Sequence, residues 1–267
     1  QFPDIKFYSL VDNKDSLYIL QKLFGAEGLT ANVYIDVDVG MHRTGIPVNK
    51  DFFDFYETVM RASYVNCRGL HVYDGHIHIR DFKERKKKIA AGYQQIEQVI
   101  QKIKALDYAP PHVIAGGSPS FTVHALNPEV DCSPGTCLLW DKGYADMLPE
   151  QNFLHAAVLL TRVISKPVEG ILTTDLGHKS LAPENPIRNR ISFLNLTDYE
   201  VASQSEEHMV VKVSEREWKQ WKVGDILYGI PFHICPTVAS YDEVQVIKNG
   251  EFTELWQVAA RKRKIKI

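Results

Sequence analysis

The segment VYIDVDVGMHRTG, residues 33–45, decides the fold class of the first half of the chain. Its apolar residues alternate with a tyrosine and two acids, and a period of two is typical of a β-strand with two different faces. The strand then enters a turn that is bounded by Gly40 and Gly45 and contains Arg43. The segment therefore predicts a strand that presents an arginine at its carboxyl end.

Strand and helix patterns alternate around this segment. The predicted strands cover residues 5–11, 33–39, 69–73, 113–115 and 137–140. Between them, apolar residues recur every three to four positions, and Asn49 and Asp81 stand where helix N-caps are expected. Repeated strand–helix units of this length predict an α/β fold in which helices cover a parallel sheet.

The second half has a different pattern, with short β-rich runs separated by turn residues. The predicted strands cover residues 157–164, 170–174, 191–196, 209–213, 225–229 and 244–247. This pattern is typical of an antiparallel β domain. We expect a boundary near residues 148–155, which gives an α/β domain over residues 1–150 and a β domain over residues 151–267.

Composition excludes several classes of protein. Hydrophobic residues make up 45% of the 267 residues, which argues against a disordered chain. The 31 basic and 33 acidic side chains give no basic excess, so no nucleic-acid partner is expected. No apolar run approaches the length of a membrane span. Four scattered cysteines and the lack of a secretory signal predict a reducing, cytoplasmic setting.

Two turns of glycine and hydroxyl residues are candidate phosphate-binding loops. The first contains Gly117, Ser118 and Ser120, and the second contains Gly135 and Thr136. Glycines allow backbone N–H groups to converge on a phosphate, and α/β barrels bind phosphate at late strand ends. Taken singly, each could be an ordinary turn. Together they favour phosphate binding.

Tyr73 and His76 close a further predicted strand, where a phenol or an imidazole could transfer protons or stack on a ring. Arg43, at the end of the opening segment, could hold an anion or an electron-rich ring atom. The alternatives are a structural histidine and a turn with surface charges. Residue spacing alone does not decide between these interpretations.

His233 and Cys235 form a candidate metal site. If they lie on a strand, both side chains point the same way, with Cα atoms roughly 6–7 Å apart. A nitrogen and a thiolate suit zinc, and a site with only two protein ligands leaves positions open for water and substrate. The alternative is a histidine and a cysteine buried on a sheet face.

Six motifs in order resemble those of the D-threonine aldolase and D-serine dehydratase family of pyridoxal-phosphate enzymes. They lie at residues 36–45, 73–76, 116–121, 134–141, 175–179 and 231–237, so the resemblance covers nearly the whole chain. The resemblance implies a partial β/α barrel of the TIM type, like the N-terminal domain of alanine racemase, followed by an antiparallel β domain. It also implies a homodimer and a small D-amino acid substrate.

The resemblance assigns roles to the candidate residues. Arg43 and Tyr73 correspond to residues beside the cofactor ring, with His76 in the same turn as Tyr73. The two glycine–hydroxyl turns correspond to the phosphate site. His233 and Cys235 correspond to the ligands of a divalent metal, zinc or manganese. Some aldolases of the family have an aspartate where Cys235 stands, whereas the dehydratases have a cysteine, so this position does not select the reaction.

The family holds its cofactor through a lysine on the first barrel strand, and no lysine within residues 1–50 has that context. We therefore expect the chain to be an N-terminally truncated form, or its missing piece to come from another chain. An aldolase that releases glycine and an aldehyde is favoured narrowly over a D-serine dehydratase. An amino-acid racemase and a cofactor-holding or inactive paralogue are the remaining alternatives.

Overall fold

A computed structural model describes residues 2, 4–262 and 264 of the chain. The chain divides into two compact units, unit 1 (Gln1–Gly135) and unit 2 (Thr136–Ile267). This division lies earlier in the chain than the domain boundary near residues 148–155 that the sequence pattern predicts.

Unit 1 alternates strands with helices. Its strands are β1 (Ser9–Val11), β2 (Ala31–Asp38), β3 (Ile46–Pro47), β4 (Val65–Val72), β5 (His112–Ala115) and β6 (Val130–Cys132), and its helices are α1 (Lys14–Ala26), α2 (Lys50–Met60), α3 (Phe82–Ala105) and α4 (Phe121–His124). Within the described residues, these strands form one parallel sheet in the order β1-β2-β4-β5-β6, with β3 paired to β2. The parallel sheet confirms the α/β fold predicted for this half.

Side-chain caps determine where two of the helices begin. Asn49 accepts hydrogen bonds from the backbone N–H groups of Asp51 and Phe52 at the start of α2. Asp81 accepts the N–H of Glu84 at 2.9 Å at the start of α3. These bonds satisfy N–H groups that have no partner within the helix, and both caps are those that the sequence predicts.

The two faces of β2 have different environments, as its alternating sequence predicts. Its apolar residues belong to a core cluster that also contains Phe52 of α2. On the opposite face, Asp36 Oδ1 lies 2.7 Å from Nδ1 of His71 on β4. The Tyr34 hydroxyl lies 2.9 Å from Nδ1 of His112 on β5. One face of the sheet therefore packs on helices, and the other carries polar side chains.

The strand predicted at residues 137–140 is wrong. A 3-10 turn begins at Thr136, and the Trp140 N–H donates to the Thr136 carbonyl at 2.6 Å. Trp140 has a φ of 55°, is buried, and stacks on Tyr144 with ring centroids 5.7 Å apart. Of the apolar residues in this run, Trp140 is buried whereas Leu138 is exposed, so the run is a turn that buries one indole and not a buried strand. The strand after β5 is β6, and β1 is shorter than the strand predicted at residues 5–11.

Unit 2 is built mainly from antiparallel strands. Its strands are β7 (Leu159–Ser165), β8 (Ile171–Thr174), β9 (Ile191–Phe193), β10 (Tyr199–Gln204), β11 (Met209–Val213), β12 (Ile226–Pro231), β13 (Glu243–Lys248) and β14 (Glu251–Gln257), and its helices are α5 (Lys142–Met147), α6 (Glu215–Gln220) and α7 (Ile234–Val238). In the part of the chain that is described, six strands form a sheet in the order β10-β11-β8-β7-β12-β9, and β13 and β14 form a separate hairpin. The antiparallel β domain is confirmed, although β10 and β14 were not predicted.

Two further features of the chain follow from the structure. Among the described residues, no helix combines the length and the apolar character that crossing a bilayer requires. All four cysteines fall within the described residues and are free thiols.

Candidate active-site residues

Arg43 and Tyr73 lie against each other at the ends of β2 and β4. The guanidinium carbon of Arg43 is 4.5 Å from the centroid of the Tyr73 ring, within the range of a cation–π interaction. Arg43 follows a turn that Asp38 organises by accepting the backbone N–H groups of Gly40 and His42 at 2.9 and 3.0 Å. The sequence therefore predicts correctly that this turn presents the arginine at the strand end.

The hydrogen bonds of this turn favour the ionised form of the Asp38 carboxylate. Burial opposes its ionisation, but hydrogen bonds from the N–H groups of His42 and Gly40 outweigh burial and lower the pKa of Asp38 to about 2. Burial also opposes ionisation of Asp36, and hydrogen bonds from His71 and Thr44 likewise bring the pKa of Asp36 below its usual value. Two negative charges therefore stand on the strand that leads to Arg43.

The Tyr73 ring is seated against two glycines. A Cβ added to Gly75 would overlap the ring, and a Cβ added to Gly117 would lie 2.7 Å from its Cε2 atom. The added Cβ at Gly75 would be 2.4 Å from Cε1 of Tyr73, so both contacts lie inside van der Waals distance and a larger residue at either position would displace the tyrosine. Gly117 follows β5, which means that the ends of β2, β4 and β5 bring Arg43, Tyr73 and Gly117 together.

His76 lies beside the turn that precedes Arg43. A Cβ added to Gly40, whose φ is 116°, would be 3.3 Å from Nε2 of His76. The Nδ1 atom of His76 is buried and has no hydrogen-bond partner within residues 2, 4–262 and 264. A buried imidazole nitrogen without a partner is costly, which makes His76 a candidate for contact with a bound molecule.

The loop after β5 is held by a buried carboxylate that the sequence analysis did not identify. Asp74 accepts a hydrogen bond from the Ser120 hydroxyl, and its Oδ2 atom lies 2.8 Å from Nε2 of His124. A Cβ added to Gly116, at a φ of 85°, would collide with His124 at 2.8 Å. The hydroxyl proton of Ser120 is therefore bonded to Asp74, and Ser120 helps to hold the loop that contains Gly117.

The second predicted phosphate turn contains the residues at which the chain passes from unit 1 to unit 2. Gly135 is the last residue of unit 1, and among the described residues no heavy atom lies within 4 Å of a Cβ added to it. Thr136 is the first residue of unit 2, and its hydroxyl lies 3.4 Å from the sulfur of Cys235. In the first turn, Ser118 is buried. The structure thus brings Thr136 to the cysteine of the predicted metal pair.

The local fold predicted for His233 and Cys235 is wrong. Strand β12 ends at Pro231, His233 is the N-cap of α7, and Cys235 lies in the first turn of that helix. Pro236 explains the change, because proline is favoured in a first helical turn, where its missing N–H would have no partner. The two side chains nevertheless interact directly through a hydrogen bond.

This hydrogen bond shifts both titrations. It is the main reason that the pKa of His233 is raised to about 9, with Glu184 adding to the rise and burial opposing it. The same bond is the main cause of the lowered pKa of Cys235, which the Thr136 hydroxyl lowers further against the effect of burial. The hydrogen bond therefore favours the imidazolium–thiolate form of the pair, and binding of a metal would require His233 to lose its proton.

Two carboxylates support the pair. Oε1 of Glu184 lies 2.7 Å from Nδ1 of His233. Asp141, the buried N-cap of α5, accepts the N–H of Ile234 at 3.1 Å, and burial raises its pKa in spite of its backbone hydrogen bonds. The sequence analysis missed Glu184, and it quoted Asp141 only as the last residue of a motif.

The residues present fit the two groups that the family resemblance implies. In unit 1, a cation lies against an aromatic ring that is seated on two glycines, and a buried imidazole nitrogen has no partner among the described residues. In unit 2, an imidazole and a thiol offer the donors that zinc prefers. Among the described residues, no group of three or more His, Cys, Asp or Glu is arranged to bind a metal, so the pair offers two protein ligands.

Comparison with protein families defines the class. Residues 4–141 match the model of the alanine racemase N-terminal domain, and residues 156–247 match the model described as "Putative serine dehydratase domain". The first match covers more than half of the chain, so the chain belongs to the family of the alanine racemase N-terminal domain. Both the resemblance and the fold class inferred from the sequence are confirmed.

The chain is also similar to individual proteins of known name. The chain is 23% identical to 3-hydroxy-D-aspartate aldolase of Paracoccus denitrificans over 94% of its length, and 25% identical to a D-threonine aldolase of an Arthrobacter species over 94%. It spans 66% of the length of each of these relatives. The crystal structure of D-threonine aldolase from Filomicrobium marinum superposes with a TM-score of 0.87 at 24% identity, covering 95% of this chain and 69% of that one.

Proposed function

We propose that the protein is a pyridoxal-phosphate-dependent and metal-dependent lyase that cleaves D-3-hydroxy amino acids, releasing glycine and an aldehyde. The observation that carries this proposal is the convergence of Arg43, Tyr73 and Gly117 at adjoining strand ends of unit 1. The similarity to two aldolases of D-amino acids supports the same reaction class.

Each candidate residue has a role in this proposal. Arg43, which carries a permanent positive charge, would hold the cofactor ring beside Tyr73. Backbone N–H groups at Gly117, Ser118, Gly135 and Thr136 would bind its phosphate. Ser120 would act through Asp74 by holding the first of these turns in place.

When bound, pyridoxal phosphate supplies an electron sink for a carbanion at the substrate Cα. His76 would accept or return a proton at its unpartnered Nδ1 atom, and the Tyr73 hydroxyl is the second candidate for proton transfer. His233 and Cys235 would hold a divalent metal, zinc or manganese, whose Lewis acidity lowers the pKa of the substrate hydroxyl.

Product analysis tests the reaction. The full-length protein would be incubated with pyridoxal phosphate, a divalent metal and D-threonine, D-3-hydroxyaspartate or D-serine. Glycine with acetaldehyde or glyoxylate supports the aldolase, and pyruvate from D-serine identifies a dehydratase. Tyr73→Phe and His233→Ala are expected to lose activity, whereas Glu206→Ala, which changes an exposed carboxylate paired with Lys179, should retain it.

The dehydratase is the second candidate, because residues 156–247 match a serine dehydratase model. A racemase that needs no metal would keep its activity after chelation and in His233→Ala. A protein that only holds the cofactor would keep an absorbance band after dialysis without turning over any of the three substrates. Each alternative therefore gives a distinct result.

The proposal also includes a cytoplasmic homodimer. Light scattering of the eluting peak in size-exclusion chromatography gives the mass of the particle and tests the dimer. A monomer that is fully active would contradict this part of the proposal alone.

A further inference from the structure

The carboxylate of Glu184 is paired with the His233 ring. Its Oε1 atom lies 2.7 Å from Nδ1 of His233, which is hydrogen-bonding distance. A carboxylate that accepts the Nδ1 proton leaves Nε2 as the ring atom with a lone pair. This is the arrangement in which histidines that bind metals are commonly held.

The segment that contains Glu184 is tied to the segment of the metal pair on both sides. Before Glu184, the N–H of Ala182 donates to the Thr237 hydroxyl at 3.4 Å, and that hydroxyl donates to the His233 carbonyl at 2.8 Å. After Glu184, the N–H of Phe232 donates to the Arg190 carbonyl at 2.9 Å. The contact between Glu184 and His233 is therefore held by the backbone.

Arg190 fixes the residue next to Glu184 as well. Its Nε atom donates to the carbonyl of Asn185 at 3.1 Å. On the other side of the pair, Thr136 touches the sulfur of Cys235 at 3.4 Å, and Asp141 accepts the N–H of Ile234. Each of the two donor side chains therefore has its own support, and Glu184 is the support of the histidine.

We propose that Glu184 is a positioning residue that orients the His233 imidazole so that Nε2, together with the Cys235 sulfur, faces a divalent metal. The inference rests on the proposed function, because it takes His233 and Cys235 as the metal ligands. Glu184 itself is not a ligand in this proposal. Among the described residues, no group of three or more possible ligands is arranged around a common point.

The test uses Co²⁺ as the probe in the full-length protein, because a Co²⁺–thiolate bond gives a charge-transfer band in the near ultraviolet. We expect Glu184→Ala to weaken Co²⁺ binding by about 10-fold to 100-fold, the effect typical of a lost partner of a metal-binding histidine. Glu184→Gln should stay close to the wild type, because its amide oxygen still accepts the Nδ1 proton. Glu206→Ala is the matched control, since Glu206 is exposed and its carboxylate pairs with Lys179.

A second readout separates orientation from general damage. In protein loaded with Zn²⁺ and labelled with ¹⁵N at histidine, the His233 nitrogens report which of them binds the metal. We expect Nε2 in the wild type and in Glu184→Gln, and a loss of that single state in Glu184→Ala. Unchanged circular dichroism would show that the variants are folded.

The outcomes distinguish this inference from the proposed function. If the wild type shows the band and Glu184→Ala binds Co²⁺ as tightly, the role of Glu184 is overturned and the metal pair stands. Equal weakening in Glu184→Ala and Glu184→Gln would also overturn it, because the amide keeps the hydrogen bond. A wild type without the band, or one whose band survives in Cys235→Ala, overturns both the metal pair and the role of Glu184.

Discussion

Unit 1 and unit 2 each contain a carboxylate paired with a histidine, in opposite surroundings. In unit 1, Asp74 and His124 are 2.8 Å apart, and their side chains are only 6% and 4% exposed. In unit 2, Glu184 and His233 are 2.7 Å apart, and their side chains are 42% and 43% exposed. The distance is nearly the same, so the difference between the two pairs is the surrounding solvent.

Exposure to solvent determines how much each pair can contribute to the stability of the fold. A buried carboxylate that loses its partners cannot be rescued by water, so its network is tied to folding. A half-exposed pair is hydrated when it breaks and contributes little to stability. The comparison therefore assigns the Asp74 network to the integrity of the predicted cofactor loop, and the Glu184 pair to the orientation of a reactive group.

The largest effect is expected at Asp74. Replacing Asp74 with alanine leaves the buried Ser120 hydroxyl and His124 ring without their acceptor. The free energy of unfolding should fall by about 3 kcal/mol or more, because each buried polar group left without a hydrogen-bond partner costs about 1–3 kcal/mol. Urea denaturation followed by circular dichroism measures this change.

Unit 1 offers a matched control for that experiment. Asp131 also pairs with a histidine, His112, at 3.0 Å, but its side chain is 73% exposed. Asp131→Ala should cost no more than about 1 kcal/mol, the upper value for exposed pairs. Similar losses in the two variants would show that burial does not separate the two classes of pair.

The elements of the fold follow from local signals where those signals are strong. Asn49 and Asp81 are the caps that the sequence predicts, and the alternation along β2 has the predicted two faces. Strand β6 has three residues, too few for a period to show. In strand β14 the apolar residues are Phe252, Leu255 and Trp256, which do not alternate with polar ones, and the strand is exposed along its whole length.

The candidate site could be predicted in part. Arg43, Tyr73 and Gly117 converge because the carboxyl ends of neighbouring parallel strands meet at one edge of the sheet. Asp74 and Glu184 could not be predicted in the same way, because their histidine partners lie 50 and 49 residues away in the sequence. Such pairings depend on how the chain packs, and no local spacing encodes them.

The next largest effect on stability is expected at Gly117, which packs against the Tyr73 ring. Gly117→Ala would place a Cβ 2.7 Å from Cε2 of Tyr73. Overpacking of this kind typically costs about 1–3 kcal/mol, so we expect a lower midpoint of urea unfolding.

Gly92 in α3 is the control for the added methyl group. Nothing lies within 4 Å of a Cβ built there, and alanine is favoured over glycine inside a helix by about 0.5–1 kcal/mol. Gly92→Ala should therefore stabilise the protein. If Gly117→Ala also stabilised the protein, the Tyr73 ring would be free to move away from Gly117, and its position would not be fixed by this contact.

A change at Asp38 is expected to have an effect on stability between those at Asp74 and Glu184, and this effect should depend on pH. Its folded pKa of about 2 is below the value of about 3.9 for an unfolded aspartate. Its contribution to stability is therefore present above pH 4 and is lost as the pH falls through 2. Asp38→Asn should cost about 1 kcal/mol at pH 7, with the difference from wild type shrinking toward pH 2.

Urea unfolding of both proteins between pH 7 and pH 2.5 measures this prediction. The asparagine keeps a carbonyl oxygen for the N–H groups of Gly40 and His42, so the variant removes charge more than hydrogen bonds. A difference that stays constant over the whole range would show that the charge of Asp38 does not stabilise the turn.

The smallest effect on stability is expected at Glu184, the other end of the comparison. Both side chains of its pair with His233 are more than 40% exposed, so water can replace the lost partner. Glu184→Ala should therefore change the free energy of unfolding by no more than about 0.5 kcal/mol. Urea denaturation beside Asp74→Ala measures the ratio of the two effects. A loss at Glu184 as large as that at Asp74 would mean that the pair supports the fold of unit 2, and weaker metal binding in the variant would then be a consequence of unfolding.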